Sequence, residues 1–398
     1  MTCSPCGRSD VAAGLLRPST QIRTVATDTI AQAVLARADV ARFLEGTHGL
    51  TSDDARARVM GYLDELHTTQ RYELYRALEY PLYPILRKIE RHVEHAALAV
   101  AAANDGRVVY ASNHRSHLDS LVELLALDDA GIRPPIIATG INLFGGPLGL
   151  IHKHITGALP IRRNMKDPAY LITLKAYVSE LLHRHDLFFY PEGGRSYSGD
   201  LKAAKTGLFS ACLDAGVAGL TLIPVSVAYD LVLEDHVMAR QGVKRGQKLF
   251  SREVAELVRY AVGYRSRSFV TFGRPISLDG IDGNSRKAVL DLARHVRGEI
   301  GLQFKVLPTA VLAAALKSSL SRADLADRIS AILDTLRAAG ANLSVQSADE
   351  VLALASEPMA TRNIIVIENG RYRVRERNVL RYYARSIAHL LTPPGATH

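Results

Sequence analysis

Residues 107–127 read RVVYASNHRSHLDSLVELLAL. An apolar run from Val108 to Ala111 gives way to a polar segment, Asn113 to Ser120, and then to Leu118, Leu121, Val122 and Leu125 at helical spacing. Strand, polar turn and amphipathic helix in immediate succession form the repeating unit of an α/β protein. Runs of strand character return at PIIATG (135–140), LFFY (187–190), TLIPVSVAY (221–229) and SFVTFG (268–273), with helical patterns between several of them. The expected fold is α/β: a mixed, largely parallel sheet flanked by helices. Ligands of such sheets bind beyond the carboxyl ends of the strands, so polar clusters placed there are candidates for one shared site.

The flanking sequence sets the boundaries. Residues 1–25 lack pattern and read as a disordered tail. An N-terminal helical region, 26–95, contains the capping sequence TSDD at 51–54 followed by Val59, Tyr62, Leu63 and Leu66. Its second part, RYELYRALEYPLYPILRKIERHVEH (71–95), is amphipathic and divided by Pro81 and Pro84. Its tyrosines and arginines suit a lipid interface, although packing on the next domain is the favoured reading. Residues 96–300 form the central α/β domain. Residues 301–398 form a mainly helical extension, with SRAD (321–324) as a capping box and Asn369-Gly370 as the turn of a β-hairpin. NVLRYYARSIAHLL (378–391) closes the region as a helix.

The chain has 398 residues, 47% of them apolar, a net charge of +9 and three cysteines. The positive balance favours anionic partners, and the odd, low cysteine count argues against a disulfide framework. Cys3 and Cys6 have redox or metal spacing, but no second Cys/His pair lies nearby. Neither a signal peptide nor a transmembrane helix is expected.

Three polar clusters follow or adjoin strand patterns: NHRSHLD, GALPIRRN (157–164) and YPEGGRS (190–196). On a regular helix His114 and Asp119 would lie about 140° apart. They meet if His114 sits in the turn before the helix and Asp119 in its first turn. An imidazole held by a carboxylate is a good general base. His117 is a rival base or a structural hydrogen-bonder. In the third cluster Gly193-Gly194 allows close backbone approach, Arg195 offers a fork for phosphate, and Glu192 can orient that arginine or a substrate hydroxyl. Arg162 and Arg163 are adjacent on a strand, so one faces the site and the other pairs elsewhere. A metal reading would use His114, His117 and Asp119 with further ligands from His152, His154, His183 or His185. A serine hydrolase is disfavoured, because the chain has no G-x-S-x-G elbow.

In order and spacing, these clusters resemble the glycerolipid acyltransferase family. Its H-x4-D block matches His114 to Asp119. Its G-x-x-x-I-R-R block matches Gly157, Arg162 and Arg163. Its F-x-E-G-x-R-S block matches YPEGGRS, with Glu192, Gly193, Arg195 and Ser196. An apolar-Pro-apolar strand matches LIPVSV around Pro224. HRSHLD, the later Lys205-Thr206-Gly207 and the closing helix resemble the glycerol-3-phosphate and dihydroxyacetone-phosphate branch. Gly194 departs from the threonine of many members.

The resemblance implies transfer of a fatty acyl group from acyl-CoA or acyl-ACP to the sn-1 hydroxyl of glycerol 3-phosphate. His114 and Asp119 would be catalytic. Arg162 and Arg195 would be first for the acceptor phosphate, and Arg163 and Lys205 second. Glu192, Gly193 and Ser196 would complete the substrate site. No metal or cofactor is implied. The implied setting is peripheral, on the cytoplasmic side of a membrane, with the apolar Ile141–Ile151 segment facing acyl chain or lipid and no nucleic-acid partner. Lysophosphatidate, dihydroxyacetone phosphate or a hydrophobic alcohol are the alternative acceptors, and a metallohydrolase is the more remote alternative.

Overall fold

The computed structural model describes residues 27–45, 51–68, 89–141, 157–241 and 266–392. The tail with Cys3 and Cys6, the stretch from Tyr72 through Pro84, residues 142–151, and His152 and His154 lie outside them.

Helices α1 (Thr27–Ala36), α2 (Ala38–Leu44) and α3 (Ser52–Leu66) come first. Thr51 caps α3 by accepting the Asp54 N–H at 3.1 Å, and Val59, Leu63 and Leu66 are buried as their spacing predicts. The α/β portion runs β1 (Ile89–Glu94), α4 (Ala96–Asp105), β2 (Val108–Ser112), α5 (Asp119–Asp129), β3 (Ile136–Gly140), β4 (Ala158–Ile161), α6 (Pro168–Leu182), β5 (Leu187–Phe189), α7 (Gly207–Leu213), β6 (Thr221–Tyr229), α8 (Asp235–Gln241), β7 (Ser266–Phe272), β8 (Ile276–Ser277) and α9 (Arg286–Gln303).

The strands form one sheet in the order β1-β7-β6-β2-β5-β3-β4, with β8 also on β6. From β6 to β4 every pairing is parallel; β7 and β8 run antiparallel to β6, and β1 is parallel to β7. The sheet is therefore mixed and largely parallel. Residues 89–94, expected at the end of a helix, are instead the edge strand β1, with His92 stacked on its register partner Phe269 at 4.7 Å. Six residues are too few to separate helical from strand periodicity, and β7 offered an edge to pair.

Strand alternation divides the core. Val109, Ala111, Leu187, Phe189 and Leu222 pack on one face with α1–α3, α6, α7 and α9. Tyr110, Phe188, Ile223, Val225 and Val227 pack on the other with α4, α5 and the C-terminal region. That region comprises α10 (Pro308–Ala315), β9 (Ser319–Ser321), α11 (Arg322–Ala338), α12 (Ala348–Thr361), β10 (Ile365–Glu368), β11 (Arg371–Val374), α13 (Arg377–Ser386) and α14 (Ala388–Leu391). Ser321 caps α11 through the Asp324 N–H at 3.1 Å. Asn369 and Gly370 take φ values of 51° and 71°, the left-handed pair that a two-residue hairpin turn needs. The expected closing helix breaks at Ile387 into α13 and α14.

Candidate active site

Strand β2 delivers the first polar segment. Asn113 continues the strand with its side chain: its amide donates to the Val227 carbonyl at 2.9 Å and accepts from the Val227 N–H at 2.8 Å. This anchors the loop to β6. His114 follows in the turn, and Asp119 is the first residue of α5. The two meet, His114 Nδ1 to Asp119 Oδ2 at 2.8 Å. Three further donors converge on this buried carboxylate: the N–H groups of Arg115 (2.5 Å) and Ser116 (2.9 Å), and the Tyr229 hydroxyl (2.8 Å). With Nδ1–H donated to Asp119, His114 Nε2 carries the free lone pair of the neutral ring.

The His114 ring stacks on Tyr190 at the end of β5, 4.2 Å between centroids and 17° from parallel. The Tyr190 hydroxyl bonds to Glu123 Oε2 at 2.7 Å, and Ser112 donates to the other oxygen of Glu123. Burial, and then the nearby Asp119, push the Glu123 carboxyl well above the usual carboxylate range. Burial is also the largest influence on His114 and lowers its pKa, against the opposing effect of Asp119.

The YPEGGRS turn lies against this loop. The Glu192 carboxylate accepts the His114 N–H at 3.2 Å and the Lys202 N–H at 3.3 Å, and Ser196 N–H donates to the His114 carbonyl at 2.9 Å. Glu192 is 3% exposed and burial raises its pKa. In this geometry Glu192 and Ser196 tie two loops together. Gly193, with φ 68°, is packed on Lys205: a Cβ there would lie 2.8 Å from Lys205 Cδ. Lys205 Nζ lies 3.4 Å from Asn164 Oδ1.

The two adjacent arginines diverge. Arg162 forks onto Glu65 of α3 through Nε at 2.7 Å and Nη2 at 2.5 Å, joining β4 to the N-terminal helices. Arg163 turns toward the site loops: its guanidinium would meet a Cβ on Gly140 at 2.9 Å and one on Gly194 at 3.0 Å. The residue has an exposed side, yet desolvation of the packed guanidinium lowers its pKa. Arg195 stacks over Tyr197 at 5.3 Å, and its charge is felt by both His114 and Arg163. Lys202 feels both Lys205 and Arg163. Four cations, Arg163, Arg195, Lys202 and Lys205, thus surround the glycine turn beside His114.

The two first-choice arginines separate: Arg162 is engaged 2.5 Å from Glu65, whereas Arg195 stays at the turn beside His114, where the second-choice Arg163 also faces the loops. The residues missed in the sequence are Tyr190, Tyr229, Lys202 and Glu234. Glu234 accepts from Ser116 Oγ at 2.8 Å and from the His117 N–H at 2.7 Å, which puts His117 in a supporting position. Tyr190 and Tyr229 stand at carboxyl ends of strands, a signal that could have found them. His183 and His185 precede β5 and lie at the opposite end of that strand from Tyr190. Among the described residues, no three His, Cys, Asp or Glu side chains are grouped to hold a metal ion. No described helix is long and apolar enough to cross a membrane.

Residues 89–228, which carry the site loops that follow β2, β4 and β5, match the family model described as Acyltransferase. More particularly, the chain is similar to proteins named glycerol-3-phosphate acyltransferase. It is 30% identical over 388 residues to that of Aeromonas hydrophila subsp. hydrophila and 31% identical over 391 residues to that of Actinobacillus succinogenes, each match covering 87% of this chain and 47% of the relative. The protein of that name from Glaesserella parasuis serovar 5 is 28% identical over 387 residues, covering 86% of this chain and 47% of the relative. The chain spans about half the length of these curated relatives. Among solved structures, the 1-acyl-sn-glycerophosphate (LPA) acyltransferase of Thermotoga maritima is 14% identical, with a TM-score of 0.31, covering 68% of this chain and 92% of that one.

Proposed function

We propose that the protein is an O-acyltransferase that moves a fatty acyl group from an acyl thioester, acyl-CoA or acyl-ACP, to the sn-1 hydroxyl of glycerol 3-phosphate. The observation that carries this reading is the His114–Asp119 pair, 2.8 Å apart, standing beside a cluster of cations at the YPEGGRS turn. The cations repel one another, and a phosphate dianion among them relieves that repulsion. Its hydroxyl end is then available to the imidazole.

In the proposed reaction His114 Nε2 takes the hydroxyl proton as the oxygen attacks the thioester carbonyl. Asp119 holds the tautomer and stabilises the imidazolium. The tetrahedral intermediate collapses, the C–S bond breaks, and the imidazolium returns its proton to the sulfur. The products are lysophosphatidate and free thiol, and no metal or cofactor takes part. Arg163 and Arg195 bind the phosphate, with Lys205 and Lys202 beside them. Arg162, spent on Glu65, braces the site from outside. Glu192, Gly193 and Ser196 shape the pocket by holding the two loops in register. The enzyme works as a peripheral protein on the cytoplasmic side of a membrane.

The test is a matrix of acyl-CoA and acyl-ACP donors against glycerol 3-phosphate, dihydroxyacetone phosphate, lysophosphatidate and a hydrophobic alcohol, with products identified by mass. Lysophosphatidate as the preferred product supports the reading. Preference for another acceptor overturns the substrate, and absence of thioester turnover with every acceptor overturns the activity.

A further inference from the structure

Six arginines fall between positions 371 and 385: Arg371, Arg373, Arg375, Arg377, Arg381 and Arg385. All six are exposed. On β11, Arg371 and Arg373 flank the buried Tyr372, and Arg375 keeps the same alternation. On α13, Arg377, Arg381 and Arg385 stand four residues apart and fall within about 80° of one another around the helix. Val379, Leu380, Tyr382 and Tyr383 occupy the buried side of that helix. Strand and helix thus each turn their arginines to solvent.

Two of the six are paired, Arg373 with Glu368 at 3.4 Å and Arg385 with Asp200 at 2.8 Å. Arg371, Arg375, Arg377 and Arg381 make no ion pair with a described residue. Exposed Lys317 lies beside the hairpin, where Ser318 accepts the Val374 N–H at 3.0 Å. The acidic side chains along the segment are Glu368 and Glu376, fewer than the arginines.

We propose that these exposed arginines dock the protein on a membrane surface of anionic phospholipid. The proposal deepens the acyl-transfer reading and rests on it for its purpose, because the product of that reaction is an amphiphile. Two observations favour lipid over nucleic acid. The buried side of α13 meets the site loops: the Tyr382 hydroxyl lies 3.5 Å from the Arg115 carbonyl, next to His114, and Arg385 pairs with Asp200 just beyond the YPEGGRS turn. A surface held by the outer side of this helix is therefore close to the reaction. The exposed arginine row also carries no aromatic ring, whereas surfaces for single-stranded nucleic acid interleave cations with stacking platforms.

The experiment is co-sedimentation of the full chain with vesicles of phosphatidylcholine alone and of phosphatidylcholine with phosphatidylglycerol, at low and high salt. Two quadruple variants are compared with the wild type, Arg371, Arg375, Arg377 and Arg381 all →Gln, and the same four →Lys. The expected result is binding to the anionic vesicles only, weakened by salt, reduced by about fivefold per arginine removed in the Gln variant and retained in the Lys variant. Turnover of a water-soluble short-chain thioester stays at the wild-type rate in both variants, which also shows that they fold. Wild-type binding that ignores lipid charge, a Gln variant that binds as well as wild type, or capture of an RNA duplex with vesicles left unbound overturns the proposal. Loss of all thioester turnover in a wild-type protein that still binds anionic vesicles rejects the acyl-transfer reading and leaves the docking face standing.

Discussion

His114 is a buried imidazole, and the groups around it determine when it can accept a proton. Arg195 and His117 oppose its positive form, Asp119 favours it, and burial outweighs all of them. Its pKa is therefore lowered, so the neutral base persists to a pH below the ordinary histidine value of about 6.5. The proposed reaction requires that neutral ring. The acid limb of the kcat/KM profile should accordingly lie below pH ~6.5, with no loss on rising from there through neutrality. Asp119→Asn removes the influence that raises the pKa, so the limb should move further toward acid while the rate falls. His114→Ala should lower thioester consumption by about 100-fold or more at unchanged circular dichroism. Full consumption by a folded His114→Ala protein would remove the histidine from the chemistry. Tyr190 offers a finer test, since its ring face and its hydroxyl separate by substitution. Tyr190→Phe keeps the face stacked on His114 and should retain most activity, whereas Tyr190→Leu loses it and should fall by about tenfold in kcat.

The elements matter through the loops they fasten. Three loops from the ends of β2, β5 and β6 are joined by buried side chains: Asn113 to Val227, Glu192 to His114 and Lys202, and Glu234 to Ser116 and His117. The C-terminal helix α13 adds a fourth tie. Gly199 takes φ 89°, its carbonyl accepts from the Arg115 guanidinium, and a Cβ there would overlap the backbone carbonyl of Tyr382. Backbone cannot step aside as a side-chain tip can. Gly199→Ala should cost more than about 2 kcal/mol in urea unfolding and depress turnover as well, because the displaced Gly199 carbonyl holds the guanidinium of Arg115, the neighbour of His114. A stable, fully active Gly199→Ala protein would show that α13 is not part of the site's support.

At the scale of the molecule, one apolar cluster runs without a break from the sheet into the C-terminal region. Tyr110 and Val227 share it with Leu333 of α11 and Met359 of α12. Such a region shields the sheet face and should unfold with it. Leu333→Ala should destabilise the protein by about 2–5 kcal/mol. Cys212, buried in the cluster on the opposite face, provides the remote readout. In a Cys3→Ser/Cys6→Ser background it is the sole thiol of the chain. Its labelling midpoint in urea should shift together with that of circular dichroism when Leu333 is truncated. A shift in circular dichroism alone would mean that the C-terminal region unfolds by itself.

Local chemistry was legible in the chain. The caps at Thr51 and Ser321 and the Asn369-Gly370 turn involve neighbours two or three residues apart, and each formed as its residue types dictate. The strand runs were legible because a strand buried on both faces must be apolar throughout. His114 and Asp119 met because a turn followed by a helix N-terminus closes a five-residue separation. What reached across the sequence was not legible. Residues 89–94 became a strand because β7, more than 170 positions later in the chain, presented an edge. The direction of Arg162 was set by Glu65 on α3, and that of Arg163 by the space beside two glycines on other loops. Tyr190 and Tyr229 gained their places by sheet order, which sets β2 between β5 and β6. Residue type and spacing specify interactions that close locally. Which arginine enters a site, or which ring supports a base, depends on elements that meet only when distant strands pair and the two faces of the sheet are covered.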